Sequence, residues 1–169
     1  PFEKIRKASL SVIREAAEAA DNLGAETLVI HPGFCLEKDM FEKSYEALLL
    51  SIYDLGKMQE EFSVRFAVEN LGSLDCCHFR FPDFVSILRD ADLAFCLDVG
   101  HANLNGVLDE FLDSKPEHVH LHDNHGVWDE HAAVGSGDID FSNVLELDAT
   151  GIIECMEYEA VLKSLEYLK

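Results

Sequence analysis

Positive charge is scarce in this chain. Thirteen Lys and Arg face 33 Asp and Glu, for a formal net charge of -20 at pH 7. A general nucleic-acid binder needs clustered cations to neutralise phosphates, and the sequence holds no Lys/Arg cluster. Long apolar runs are also missing. None approaches the ~20 residues that span a bilayer, and no signal peptide is visible, so no membrane role is expected. The five cysteines (Cys35, Cys76, Cys77, Cys96 and Cys155) are odd in number and form no CxxC. That fits free thiols in a reducing cytoplasm. Cys76 and Cys77 are adjacent, which is poor geometry for a disulfide, while Cys96 and Cys155 lie in apolar runs and read as small core residues. No linker, low-complexity tract or charge block divides the chain, so residues 1–169 read as a single domain.

What is present is an alternation of helical and strand-like patterns. From Phe2 to Leu23, the residues Ile5, Ser9, Val12, Ala16, Ala20 and Leu23 fall on one helical face, and Gly24 follows as a C-cap. Thr27–Ile30 is a short β-branched run stopped by His31-Pro32-Gly33. Phe41 to Phe62 is helical again. Strands are expected at Arg65–Glu69, Leu93–Leu97, His118–His122 and Ile152–Met156. Helices are expected after Pro82, over Val107–Leu112, over Phe141–Leu147 and over Glu159–Leu168. Helices between consecutive strands imply an α/β fold with a parallel sheet and right-handed crossovers.

The apolar runs share one property. Each ends in residues able to bind a metal: His31, then Glu69, then Asp98 and His101, then His120, His122 and Asp123, then Glu154 and Glu157. In a parallel sheet or barrel of βα units the strand C-termini lie on one face, which would gather these side chains around one or two divalent cations. His118, His120 and His122 share a strand face by their period of two. Asp123 could bind a metal or orient a ring nitrogen. Asp129-Glu130-His131 is a tight Asp-x-His in the following loop, and Gly135-Ser136-Gly137 could let that loop fold back over the site. Trp128, in the same loop, is a possible aromatic wall for a ligand. Arg80 is the cation expected nearest the mouth. His78 and His125 have no neighbouring pattern and read as surface residues.

The run HPG, ENLG, DVGHAN, HVHLHDN, DEHAAVGSGDIDF and a final Glu resembles the xylose-isomerase-like TIM-barrel superfamily. That group includes sugar and sugar-phosphate isomerases and epimerases and the AP endonucleases of the endonuclease IV type. The resemblance implies a primary metal, zinc or manganese, on Glu69, Asp98, His120 and Glu157. Glu157 is preferred because it lies at the expected C-terminal end of its strand, with Glu154 as fallback. His120 is chosen over His122 because it stands three residues before Asp123. In the endonucleases further metals would use His31, His101, Asp129 and His131. A family barrel has eight strands in ~250 residues. This chain shows about five, apparently the fourth to the eighth, and lacks a family histidine carried on the third strand. A partial TIM-barrel-like fold is therefore expected, the C-terminal portion of a longer barrel or one completed by another copy. Gly135-Ser136-Gly137 replaces the Gly-Glu-Gly of the endonucleases.

Two enzymatic functions and one non-enzymatic function follow. A metal-dependent sugar or sugar-phosphate isomerase or epimerase would use the metal to polarise a substrate carbonyl and hydroxyl, with Glu69 and Glu157 as proton-transferring bases. The acidity favours such a small sugar substrate, as does Gly137–Phe141. A zinc AP endonuclease would use His31, His101, Asp129 and His131, against the charge of -20. A non-catalytic metal-binding domain is the third.

Overall fold

The computed structural model describes residues 2–72 and 74–169. Helix α1 (Phe2–Leu23) leads into β1 (Thr27–Ile30), α2 (Phe41–Gln59), β2 (Arg65–Glu69), α3 (Val85–Asp90) and β3 (Ala94–Asp98). Then come α4 (Val99–Leu104), α5 (Leu108–Leu112), β4 (His118–Leu121), β5 (Thr150–Ile153) and α6 (Tyr158–Tyr167). The five strands are parallel and pair in sequence order, β1-β2-β3-β4-β5, as a half-barrel. Among the described residues, β1 and β5 each pair on one side only.

Register divides the sheet into two faces. Phe66, Val68, Phe95, Leu97, Val119 and Leu121 point to the helices and form one buried core with Phe84, Phe111 and Leu88. Phe84 meets the Phe95 ring edge-on at 5.5 Å, and Phe111 stacks on Phe95 at 5.3 Å. The opposite, concave face carries Ala67 and Glu69, then Cys96 and Asp98, then His118 and His120. On β2 to β4 the concave side carries small and polar residues, with Ala67, Ala94 and Cys96 packed together beside Val29.

Several expectations are corrected. The buried stripe of α1 is Leu10, Ile13, Ala17 and Ala20, while Ile5, Val12 and Leu23 of the expected face are exposed. Packing of that stripe against the core sets the rotation, and ion pairs from Arg6 to Asp54 and from Arg14 to Glu61 add ties from α1 to α2 and its C-terminal turn. The expected helix over Phe141–Leu147 is a single 3-10 turn, Val144–Glu146. An unforeseen helix, α4, begins straight after Asp98, whose side chain caps it by accepting from His101 N at 2.7 Å. The sequence also predicts a loop over Ser73–Phe81, of which Ser73 lies outside the described residues. β5 starts and stops earlier than Ile152–Met156, and that shift changes which glutamate faces the hollow.

Candidate metal centre

Glu69 and Asp98 are the last residues of β2 and β3, and His120 sits opposite Asp98 in register. Glu154 follows β5 directly and continues the concave parity of Thr150 and Ile152. One ligand atom from each of Glu69, Asp98, His120 and Glu154 lies within 4.8 Å of the others. Glu157 is not in this group. The chain turns at Cys155 and Met156, so Glu157 becomes the exposed residue before α6. The carboxylate that comes to the site is therefore the fallback, Glu154, two residues beyond Ile152 on the same side of β5.

Asn70 holds the ends of β2 and β3 together. Its Nδ2 donates to the Asp98 carbonyl at 3.0 Å, and its Oδ1 accepts from Asp98 N at 2.8 Å. Its own carbonyl accepts from His101 Nδ1 at 3.0 Å, which turns the other ring nitrogen toward Asp129. Sequence reasoning missed this role; the only signal was an amide directly after the strand carboxylate. Gly100 is required locally, because a Cβ there would collide with the His122 ring.

The second group lies beside the first. His101, Asp129 and His131 also bring ligand atoms within 4.8 Å. Asp129 Oδ2 is 3.2 Å from both His101 Nε2 and His131 Nε2. A two-residue bridge between Asp123 and Ala132 closes the loop and returns Asp129 and His131 to the strand ends. Asp123 neither binds this cluster nor orients a ring. Its buried carboxylate accepts from Asn124, Gly135, Gly137 and Ile139 N–H groups at 2.8–3.2 Å, which pins the Gly-Ser-Gly segment. His131 Nδ1 donates to the Glu154 carbonyl at 2.8 Å and ties the loop to β5.

His31 stands at the rim with Nε2 3.1 Å from Glu69 Oε2. His122 is fully buried, and its Nε2 donates to both Asp98 oxygens at 3.0 and 3.1 Å, so it supports Asp98. Arg80 donates to Asn105 at 3.0 Å and to Asp75 at 2.9 Å, bonds that tie its loop to the end of α4. Trp128 is exposed beside Asp129. Contrary to the surface reading, His78 is buried, with Nε2 2.8 Å from Ser44 Oγ. His125 is exposed and paired with Glu130 at 2.9 Å.

These groups perturb one another. Burial opposes ionisation of Glu69, but His101, His120 and His31 outweigh it and hold its carboxyl far below the usual range. Burial likewise disfavours charge on His101, yet Asp129 and Glu69 lift it to about 11. His120 is raised against burial by Cys96, Glu154 and Glu69, and Glu154 is lowered chiefly by His120. Burial pushes the Cys96 thiol up to about 11. The contacts nevertheless leave atoms unsatisfied. Glu69 Oε2 and His120 Nδ1 are buried and without a hydrogen bond among the described residues, despite neighbours at 3.1 and 2.8 Å whose angles are wrong. Asp129 Oδ1 is in the same position. Convergent carboxylate and imidazole donors that do not satisfy one another fit a divalent cation.

A family profile described as xylose isomerase-like TIM barrel matches residues 1–168. The chain belongs to that family. Among solved structures, this xylose isomerase-like chain is similar to a D-tagatose 3-epimerase-like protein at 28% identity and a TM-score of 0.89, covering 98% of this chain and 69% of the other. It is 42% identical over 143 residues to the uncharacterized protein MJ1614 of Methanocaldococcus jannaschii, covering 83% of this chain and 57% of that protein. It is 24% identical over 152 residues to a probable endonuclease 4 of Mycobacterium leprae, covering 81% and 58%. The chain thus spans between 57% and 63% of the length of the curated relatives first matched. No helix among the described residues is long and apolar enough to cross a membrane.

Proposed function

We propose that this chain supplies the metal-binding half of a divalent-metal-dependent sugar isomerase or epimerase. Glu69, Asp98, His120 and Glu154 would hold the ion, zinc or manganese. The observation that carries the reading is their meeting at four strand ends, with Glu69 Oε2 and His120 Nδ1 buried and making no aligned hydrogen bond among the described residues, only ion-pair contacts at 3.1 Å to His31 and 2.8 Å to Glu154. A bound divalent cation supplies Lewis-acid polarisation of a carbonyl and its neighbouring hydroxyl. The chain's own groups then account for the proton. Glu69 and Glu154 flank His120, so one carboxylate can take a proton from the carbon beside a carbonyl and the other can return one. His122 and Asn70 hold Asp98, and Asn70 also orients His101, so the donors need little reorganisation. His31 and Trp128 lie at the exposed rim, where they would meet substrate hydroxyls and a ring face. The likeness to an epimerase-like protein at 28% identity supports the sugar class. The chain's 57% span of its relative MJ1614 supports reading it as a portion of a longer barrel.

The test is metal content and turnover of the purified protein. We expect about one exchangeable ion per chain and metal-dependent epimerisation or isomerisation of ketoses, lost in Glu69→Gln. Undiminished turnover in that variant would remove Glu69 from the mechanism.

One observation favours an endonuclease reading. The His101–Asp129–His131 group and the His31–Glu69 contact would suit additional ions. Two or three tightly bound zinc ions, with chelator-sensitive cleavage of an abasic oligonucleotide, would replace the first reading. The net charge of -20 weighs against a polyanionic substrate.

A further inference from the structure

Deeper in the hollow lies another set of donors. Cys96 and His118 are register partners on β3 and β4, and His120 is two residues further along β4. One ligand atom from each lies within 4.8 Å of the others, and all three residues are buried. Ala67 and Ala94 pack beside Cys96, so the floor is built of small side chains. The plain reading is a small core cysteine and a satisfied core histidine. His118 is not satisfied. Its Nδ1 lies 2.6 Å from Thr150 Oγ1, and that hydroxyl donates to the Glu117 carbonyl at 3.4 Å. The hydroxyl engages Nδ1, and Nε2 is buried with no partner among the described residues. An imidazole anchored through one nitrogen, with the other left without a protein partner, is the arrangement of a metal-bound histidine.

We propose that Cys96, His118 and His120 form a second cation subsite in the barrel floor, suited to a borderline-soft ion such as Zn(II). Binding forms a sulfur–metal bond, breaks the Cys96 S–H bond and releases that proton to solvent. The ion's remaining position is open to water. Harder ions such as Mn(II) and Mg(II) prefer the carboxylate group and leave the thiol protonated. His120 Nδ1 faces Glu154 and Glu69, so the two subsites share one ring. The subsite does not rest on the sugar-isomerase reading.

Cobalt(II) distinguishes the two. Added to chelator-stripped protein, it should produce a near-ultraviolet sulfur-to-cobalt charge-transfer band, which needs a thiolate ligand. The band should persist in Glu154→Gln, disappear in Cys96→Ser and fall at least about fivefold in His118→Gln. Absence of the band in the wild type, or its survival unchanged in Cys96→Ser, overturns the subsite. If Cys96→Ser fails to fold by circular dichroism, His118→Gln decides, and an unchanged band there overturns it as well. A protein that keeps the band but shows no sugar activity would lose the proposed function and keep this subsite.

Discussion

On β3, Phe95 and Leu97 point into the helices while Cys96 and Asp98 point into the hollow. β4 repeats the division, with Val119 and Leu121 against His118 and His120. One backbone thus serves two solvents at alternate residues. The helix side gains from burying aromatic area and wants no polar atom. The hollow side buries carboxylates and imidazoles that are costly apart and tolerable only together. The two sides should therefore fail differently. Stability should reside mostly on the helix side and activity on the hollow side.

A pair of substitutions can break that division. Glu69→Gln should lower turnover by about 10²–10⁴-fold, the usual worth of a positioned acid or base. Its thermal midpoint in chelator should fall, but by less than that of Phe95→Ala, because Gln keeps the volume while leaving His101, His120 and His31 without the carboxylate charge they face. Phe95→Ala should do the reverse, costing about 3–5 kcal/mol in denaturant unfolding while the folded fraction keeps its metal. A large stability loss in Glu69→Gln would show that the hollow, too, holds the fold together.

A finer comparison lies within one segment. Glu154→Gln should weaken metal affinity at least by the ~10–100-fold that even supporting residues cost, whereas Glu157→Gln should leave it unchanged. Competition with a chromogenic chelator measures both. The reverse order would mean that the turn after β5 rearranges when the ion binds.

The four strand-end carboxylates also show how far the sequence could be read. Glu69 and Asp98 end runs whose apolar neighbours are unmistakable, so period and position together placed them. Glu154 and Glu157 both follow β5, which starts two residues and ends three residues before the expected strand because Gly151 is a weak strand signal. The end of the strand decides which carboxylate reaches the site: Glu154 keeps the side of Ile152, and Glu157 lies past the bend. Asn70, His122 and Asp123 act through hydrogen bonds that join separate loops, and such pairings leave no periodic trace. The α1 rotation was hidden for another reason. Apolar residues and alanines cover more than one face of that helix, and packing against the core chooses between them.

The smallest expected effect concerns protons. His120 is held charged more readily than a free imidazole: burial works against the charge, but Cys96, Glu154 and Glu69 raise its pKa above the ordinary 6.5. A metal accepts only the neutral ring, so binding must displace this proton. Because the pKa is raised, that proton is still present through neutral pH and is removed more easily as pH rises. Apparent metal affinity should therefore increase by about tenfold per pH unit across pH 6–8 for each proton displaced. Chelator competition at three pH values measures the slope, and a weakly buffered indicator dye would count the protons released. The stability of the chelated protein should fall over the same interval, because His101 and His120 hold protons in the folded state that the unfolded chain releases above about pH 6.5. A flat affinity would mean that the metal-free ring carries no proton for the ion to displace, so that its neighbours do not hold His120 charged.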